Sequence, residues 1–265
     1  MKTKSRIASI LKANNLDFSI TDLQAFNLSA LNLATGLEFQ LPTNLRLGHL
    51  AERIVSELIK ASTNYNVLYE NVQIIEDKKT IGEIDFIIEE INTKALIHME
   101  LAYKFYLFDP SISPEPLNNW IGPNRNDSLK EKLEKTKRKQ FPLLYHKATK
   151  STFNKIALDE VSQALCLLVS LFIPFEYKTN FNPIYEKAIK GYYLNMETFI
   201  SFDHSKKSYY IPPKKEWGME PSENENWTDF NGVEKDIKTS IKEEQAPLCW
   251  QKYKDTYLVF FIVWW

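Results

Sequence analysis

Apolar residues recur at intervals of three, four and seven between Leu47 and Ala61, at Leu47, Leu50, Ala51, Ile54, Val55 and Leu58, with Arg53, Ser56, Glu57 and Lys60 between them. That period predicts an amphipathic helix with one buried stripe. After Thr63 and Asn64 the pattern changes to stretches rich in β-branched and aromatic residues, Val67 to Ile75, Thr80 to Glu89 and Ala95 to Phe108, broken at Asp77-Lys78-Lys79 and at Asn92-Thr93. These read as a three-strand meander. Beyond Asp109 a Pro-rich loop leads to a charged, mostly solvated helix through about Gln140, capped by Asn124 or Asn126 and striped by Leu129 and Leu133. Residues Ala164 to Pro174 are nearly all apolar, as expected of a strand buried on both faces, with a buried helix as the alternative. From residue 176 onward the pattern predicts aromatic strands, a charged helix near Glu234 to Glu244, and a hairpin of Leu248 to Tyr253 and Tyr257 to Trp264 turning at Lys254-Asp255.

Side chains alternate across a strand, so the stretch from residue 95 divides by parity into two faces. Ala95, Ile97, Met99, Leu101, Tyr103, Phe105 and Leu107 make an apolar face; Leu96, His98, Glu100, Ala102, Lys104 and Tyr106 make the other, which carries three ionisable groups. In the preceding strand Ile84, Phe86 and Ile88 point one way, and Glu83 and Asp85 the other. A hairpin turning near residues 92 and 93 sets Asp85 against Glu100, with side-chain roots about 5 Å apart. Two carboxylates that close repel unless a proton or cation sits between them. Oxygen ligands of this kind suit Mg²⁺ or Mn²⁺. Lys104 is the candidate cation for a phosphoryl transition state, and Glu52, on the shoulder of the helix stripe, is a candidate auxiliary acid. Each of these groups also has an ordinary structural reading: His98 as a satisfied core imidazole, Lys104 as an ion-pair partner, Glu52 as a surface acid.

Of the 265 residues, 44% are hydrophobic and 25% charged, which excludes a disordered or collagen-like chain and predicts one large domain: a core at about 45–175, an N-terminal extension at 1–44 and an elaboration at 176–265. Cys166 and Cys249 stand far apart, too few for a zinc finger or a disulfide framework, and are expected to be reduced core thiols. The formal net charge is −1, so any nucleic-acid contact must be local. Lys130 to Lys155 holds nine Lys or Arg against two Glu, and Glu216 to Gln245 holds nine acids against three Lys. The basic stretch is the candidate phosphate-facing patch, and mutual neutralisation of the two is the alternative. The longest apolar run, Leu258 to Trp265, is far shorter than the roughly 20 residues a membrane span needs, and the first residues lack an unbroken apolar stretch. A soluble, cytoplasmic protein without membrane contact is the expectation.

Glu52 on a helix, the strand string GEIDF, a strand with Glu100 and a following Lys, then a helix and a buried strand resemble the αβββαβ core of the PD-(D/E)xK restriction-endonuclease-like superfamily. More closely, LGHLAER, GEIDF, HMELAYKFYL and WIGPNRNDSLKEKL are similar to an uncharacterised family of bacterial proteins, a domain of unknown function assigned to that superfamily. The resemblance is strongest over about 45–142. It implies an α+β fold with a mixed central sheet flanked by helices, and a Mg²⁺-dependent nuclease acting on DNA or RNA. Asp85 and Glu100 match the metal-binding acids, Glu52 the helical acid, and Lys104 takes the place of the motif lysine. His98, Asn124, Lys132 and Gln140 are the candidate auxiliaries. One departure stands out: the motif lysine ordinarily follows the Glu by two residues, where this chain has Ala102, and Lys104 lies about 13 Å along the strand from Glu100 at about 3.3 Å per residue. That displacement supports the alternative of an inactive nuclease-like fold serving as a nucleic-acid-binding or protein-interaction module.

Overall fold

A computed structural model describes residues 3–34, 37, 39–42 and 44–265. The chain forms two compact units interleaved in sequence: a first made of Asn15–Tyr103 and Glu131–Leu168, and a second made of Met1–Asn14, Lys104–Lys130 and Val169–Trp265. Both are mixed α/β, in agreement with the fold class expected. Among the described residues no helix is long and apolar enough to cross a membrane.

In the first unit, helix α1 (Leu47–Ala61) buries Leu47, Leu50, Ala51, Ile54, Val55, Leu58 and Ile59. Strands β1 (Tyr65–Glu76), β2 (Lys79–Glu90) and β3 (Leu96–Phe108) follow within a residue or two of the predicted bounds. β1 and β2 pair antiparallel up to Glu76↔Lys79, leaving the two-residue turn Asp77-Lys78, both at positive φ (47° and 64°) as a turn matched to strand twist requires. α1 is fastened to β1 by Ser56 donating to Glu70 and by Lys60 Nζ at 2.7 Å from the same carboxylate. The early part of β4 (Ser162–Pro174) lies beside β3, and residues 16 and 26 donate backbone N–H groups to Leu167 and Leu165 along it. Ile74, Ile84, Ile87, Leu143, Leu144 and Phe153 belong to this unit's buried core.

The charged helix differs from its expected form. It begins at Leu129, as α2 (Leu129–Lys135), without a cap from Asn124 or Asn126, and continues as a single π-turn over Thr136–Gln140. The N–H of Phe141 reaches back five residues to the carbonyl of Thr136. It is mostly solvated, as expected, with Thr136 buried beside the stripe of Leu129 and Leu133 and the π-turn packed against β2.

The second unit is built on the later part of β4, with β5 (Ile189–Asn195), β6 (Ser208–Tyr210), β7 (Leu248–Tyr253) and β8 (Thr256–Val263) in spatial order β4-β5-β8-β7-β6. β5 runs parallel to both β4 and β8, and β7 and β8 form the predicted hairpin around Lys254-Asp255. Helix α3 (Phe230–Lys242), capped by the Asp229 carboxylate on the N–H of Gly232, buries Val233 and Ile237 in a core with Leu194, Phe199, Tyr209 and Phe260. Cys166 and Cys249 are free, buried thiols.

Candidate functional site

β2 and β3 pair antiparallel with Phe86 opposite Met99 and Ile87 opposite His98, and the same register carried one residue further sets Asp85 opposite Glu100. Asp85, His98 and Glu100 therefore share one face, as parity predicts. The ionisable face is as deeply buried as the apolar one: His98 and Glu100 are 0% exposed and Asp85 8%. Gln140 of the π-turn, Phe141 and Gln163 at the start of β4 cover it.

Burial removes the water that would stabilise charge, so every donor around these carboxyls counts. Gln163 Nε2 donates to the carbonyl of Phe141 at 2.7 Å and to His98 Nδ1 at 3.2 Å. With Nδ1 accepting, the proton of a neutral imidazole sits on Nε2, which donates to Glu100 Oε1 at 2.9 Å. Burial holds His98 in that neutral form, lowering its pKa to about 4. Gln140 Nε2 donates to Glu100 Oε2. Its own Oε1 accepts from Lys132 Nζ at 2.8 Å and Thr136 Oγ1 at 3.0 Å. The backbone N–H of Leu101 donates to Asp85 Oδ2 at 2.9 Å. Two side-chain donors thus hold Glu100 and one backbone donor holds Asp85.

These donors do not offset burial and repulsion. Burial, then the Glu100 charge, raises Asp85 to about 8, with Glu52 acting in the same direction. Burial raises Glu100 to about 7, opposed first by Lys132, then by hydrogen bonding with Asp85 and by Lys135. At neutral pH the pair retains a proton where a cation could stand. The donor set is two hard carboxylates with an imidazole already committed at both nitrogens, which fits Mg²⁺ or Mn²⁺ better than zinc. Among the described residues no group of three or more His, Cys, Asp or Glu forms a metal cluster. A carboxylate pair completed by water and substrate phosphate is the arrangement Mg²⁺ ordinarily accepts.

Glu52 lies at the edge of this site, hydrogen-bonded to His49 Nδ1 at 3.0 Å and lining a cleft of about 390 Å³ with His49, Arg53, Glu70, Gln73 and Glu83. Its carboxylate is close enough to act on Asp85. Lys104 belongs to the second unit, where its ammonium pairs with Asp127 at 2.6 Å. Asn124, in the same unit, accepts from the N–H of Ala246 at 2.8 Å and donates to Gln245. The WIGPNRND string forms a fastened loop there: Gly122 N–H donates to the carbonyl of Asp127 at 2.7 Å, Arg125 pairs with Asp109 at 3.1 Å, and Trp265 Nε1 donates to the carbonyl of Pro123 at 3.2 Å. A Cβ on Gly122 would stand 2.1 Å from Asp127 Oδ1, so a larger residue there would make the Asp127 side chain shift. The motif's Asn thus has a structural partner at each end of its amide.

Gln163 and Thr136 complete the site and were not singled out by sequence reasoning. The available signal was weak: one polar residue at the head of an apolar strand, and one short hydroxyl among lysines. A family described as a domain of unknown function, DUF1853, matches residues 3–257. The chain belongs to the DUF1853 family. No curated protein and no solved structure matches it. The match spans both units of this DUF1853 protein, the carboxylate pair and the fastened loop included.

Proposed function

We propose that this DUF1853 protein is a Mg²⁺- or Mn²⁺-dependent nuclease of the PD-(D/E)xK type, hydrolysing phosphodiester bonds in DNA or RNA in the cytoplasm. The observation that carries the reading is the buried Asp85 and Glu100 pair, set face to face by strand register, too close for both to ionise alone, and supplied with donors that hold each in place. Asp85 and Glu100 would hold the ion, whose chemistry is Lewis-acid polarisation of a phosphate oxygen. His98 and Gln140 fix the orientation of Glu100, and the Leu101 N–H fixes Asp85, so no reorganisation is needed when phosphate arrives. Glu52 adds negative charge beside Asp85, which favours positive charge there, whether proton or cation.

Nucleic acid would approach along the basic stretch. Lys137, Arg138 and Lys147 are paired within the first unit to Asp22, Glu134 and Glu76. Lys135 and Lys139 stand exposed beyond Lys132 on the same helical run, spaced to follow a phosphate backbone. The deciding experiment is incubation of the purified protein with Mn²⁺ and single-stranded DNA, double-stranded DNA and RNA, with Asp85→Asn alongside. Cleavage by wild type that is lost in Asp85→Asn supports the reading; no cleavage of any substrate overturns it. The second reading, an inactive nuclease-like binding module, is favoured by the Lys104 to Asp127 pair, which engages the motif lysine elsewhere. It predicts retention of labelled nucleic acid or of a protein partner without turnover.

A further inference from the structure

Charge developing on a phosphoryl group needs a fixed cation beside the carboxylates. Resting on the nuclease reading above, we infer that Lys132 is that cation in this chain, in place of Lys104, and that Gln140 is its positioning residue.

The argument begins with the amide of Gln140. Its oxygen accepts from Lys132 Nζ at 2.8 Å and its nitrogen donates to Glu100 Oε2, so one side chain ties the ammonium to the carboxylate pair with its two ends unambiguously assigned. The buried Thr136 hydroxyl shares its one proton between this amide oxygen and the Lys132 carbonyl, each at 3.0 Å. Lys104 has a different role: its ammonium lies 2.6 Å from Asp127 Oδ2.

The helix is shaped for this arrangement. Residues eight apart on a regular α-helix are separated by two turns and about 80°, which turns Gln140 away from Lys132. The π-turn Thr136–Gln140, with its five-residue hydrogen bond, inserts one residue, so the pair behaves as if about seven apart and lands within about 20° of one face. π-turns are rare and are frequently found at functional sites. An ammonium on a flexible stem is a compact point charge suited to a phosphate oxygen.

The test is isothermal titration of Mn²⁺ into the full chain, paired with cleavage of the nucleic-acid set, for wild type, Lys132→Met, Lys104→Met and Gln140→Leu. A cation beside two carboxylates opposes a metal ion, so Lys132→Met should bind Mn²⁺ about threefold or more tighter than wild type. Its cleavage should fall about 100-fold, the scale for loss of one fixed electrostatic stabiliser. Lys104→Met should leave both quantities near wild type. Gln140→Leu should lower cleavage while Lys132→Arg, which keeps the charge, keeps wild-type Mn²⁺ affinity. If Lys132→Met melts early, Lys132→Gln repeats the comparison with a hydrogen-bonding head. Unchanged or weaker Mn²⁺ affinity in Lys132→Met and Lys132→Gln, or loss of cleavage in Lys104→Met alone, overturns the inference. A wild type that binds Mn²⁺ and cleaves nothing removes the nuclease reading, while tighter binding in Lys132→Met still upholds the placement of the cation. A wild type that binds no Mn²⁺ overturns both.

Discussion

Asp85 in the first unit and Asp109 in the second are both 8% exposed, yet their carboxyls are driven in opposite directions. Asp85 sits deep among protein atoms and faces Glu100; burial and that second charge push it up to about 8. Asp109 also feels burial, but the Ser111 hydroxyl and N–H and the Arg125 guanidinium overcome it and hold the carboxyl below the ordinary range. The difference separates two uses of a partly hidden acid. Asp109 is neutralised by the chain itself and serves to fix a loop, whereas Asp85 is left in want of positive charge, which something other than the chain can supply.

The largest expected effect is on metal response. At a Mn²⁺ concentration about 100 times its Kd, linkage stabilises the wild type by about 2.7 kcal/mol, seen as a rise in melting temperature. Asp85→Asn should abolish that rise, and Asp109→Asn should leave it intact. An equal rise in wild type and Asp85→Asn would dissolve the contrast. Next in size is Leu101→Ala, a buried truncation on the opposite face of β3, which should destabilise by about 2–5 kcal/mol in urea unfolding. Glu100→Gln in metal-free buffer should retain the fold, because it removes like-charge repulsion; an unfolded Glu100→Gln protein would make the acid a structural element.

Acidity gives a third prediction. Asp85 and Glu100 have raised pKa values in the folded chain, so the folded state holds protons the unfolded chain releases, and stability contributed at low pH is lost as pH rises toward about 8. His98, lowered to about 4, acts oppositely below its ordinary value of 6.5, where the unfolded chain gains the proton. Between about pH 6.5 and 8 only the carboxyls contribute among these three groups. In EDTA the melting temperature should fall across that window, and Asp85→Asn should flatten the slope. A wild-type melting temperature that rises there would reverse the assignment. The smallest effect belongs to Lys104→Met: its pair with Asp127 is 36% and 41% exposed, and such a pair stabilises by about 0.2–1 kcal/mol.

Much of the first unit was legible because its signals are periodic. The α1 stripe and the three strands follow from spacing, and the structure reproduces them, with a β2–β3 register of Phe86 to Met99 that continues to the 85 to 100 juxtaposition. Strand parity says which residues share a face but not what covers that face, so nothing in the pattern places Gln140, Phe141 and Gln163 over His98 and Glu100. The π-turn was illegible for a related reason: Lys137, Arg138 and Lys139 suit any helical pitch, and nothing in their order marks the extra residue. Lys104 illustrates the limit of one-dimensional distance. Counting residues from Glu100 kept it on the correct parity, while its actual partner, Asp127, is 23 residues away in the chain and arrives through a loop that Gly122 closes.

The interleaving of the two units has a consequence for how the protein is made. Residues 15–103 and 131–168 make up the first unit, so on the ribosome all of its residues have emerged once residue 168 has. The helix Thr3–Leu11 must wait longer, for the buried Arg6 finds its acceptors in the carbonyls of Lys215 and Trp217, more than 200 residues downstream. At about 5–20 residues per second that interval lasts several seconds, during which an arginine and two isoleucines destined for burial, Ile7 and Ile10, are exposed at the start of the chain. Synthesis therefore divides into an early event that assembles the carboxylate pair and a late one that recaptures the first helix, and the vulnerable intermediate is the chain between them.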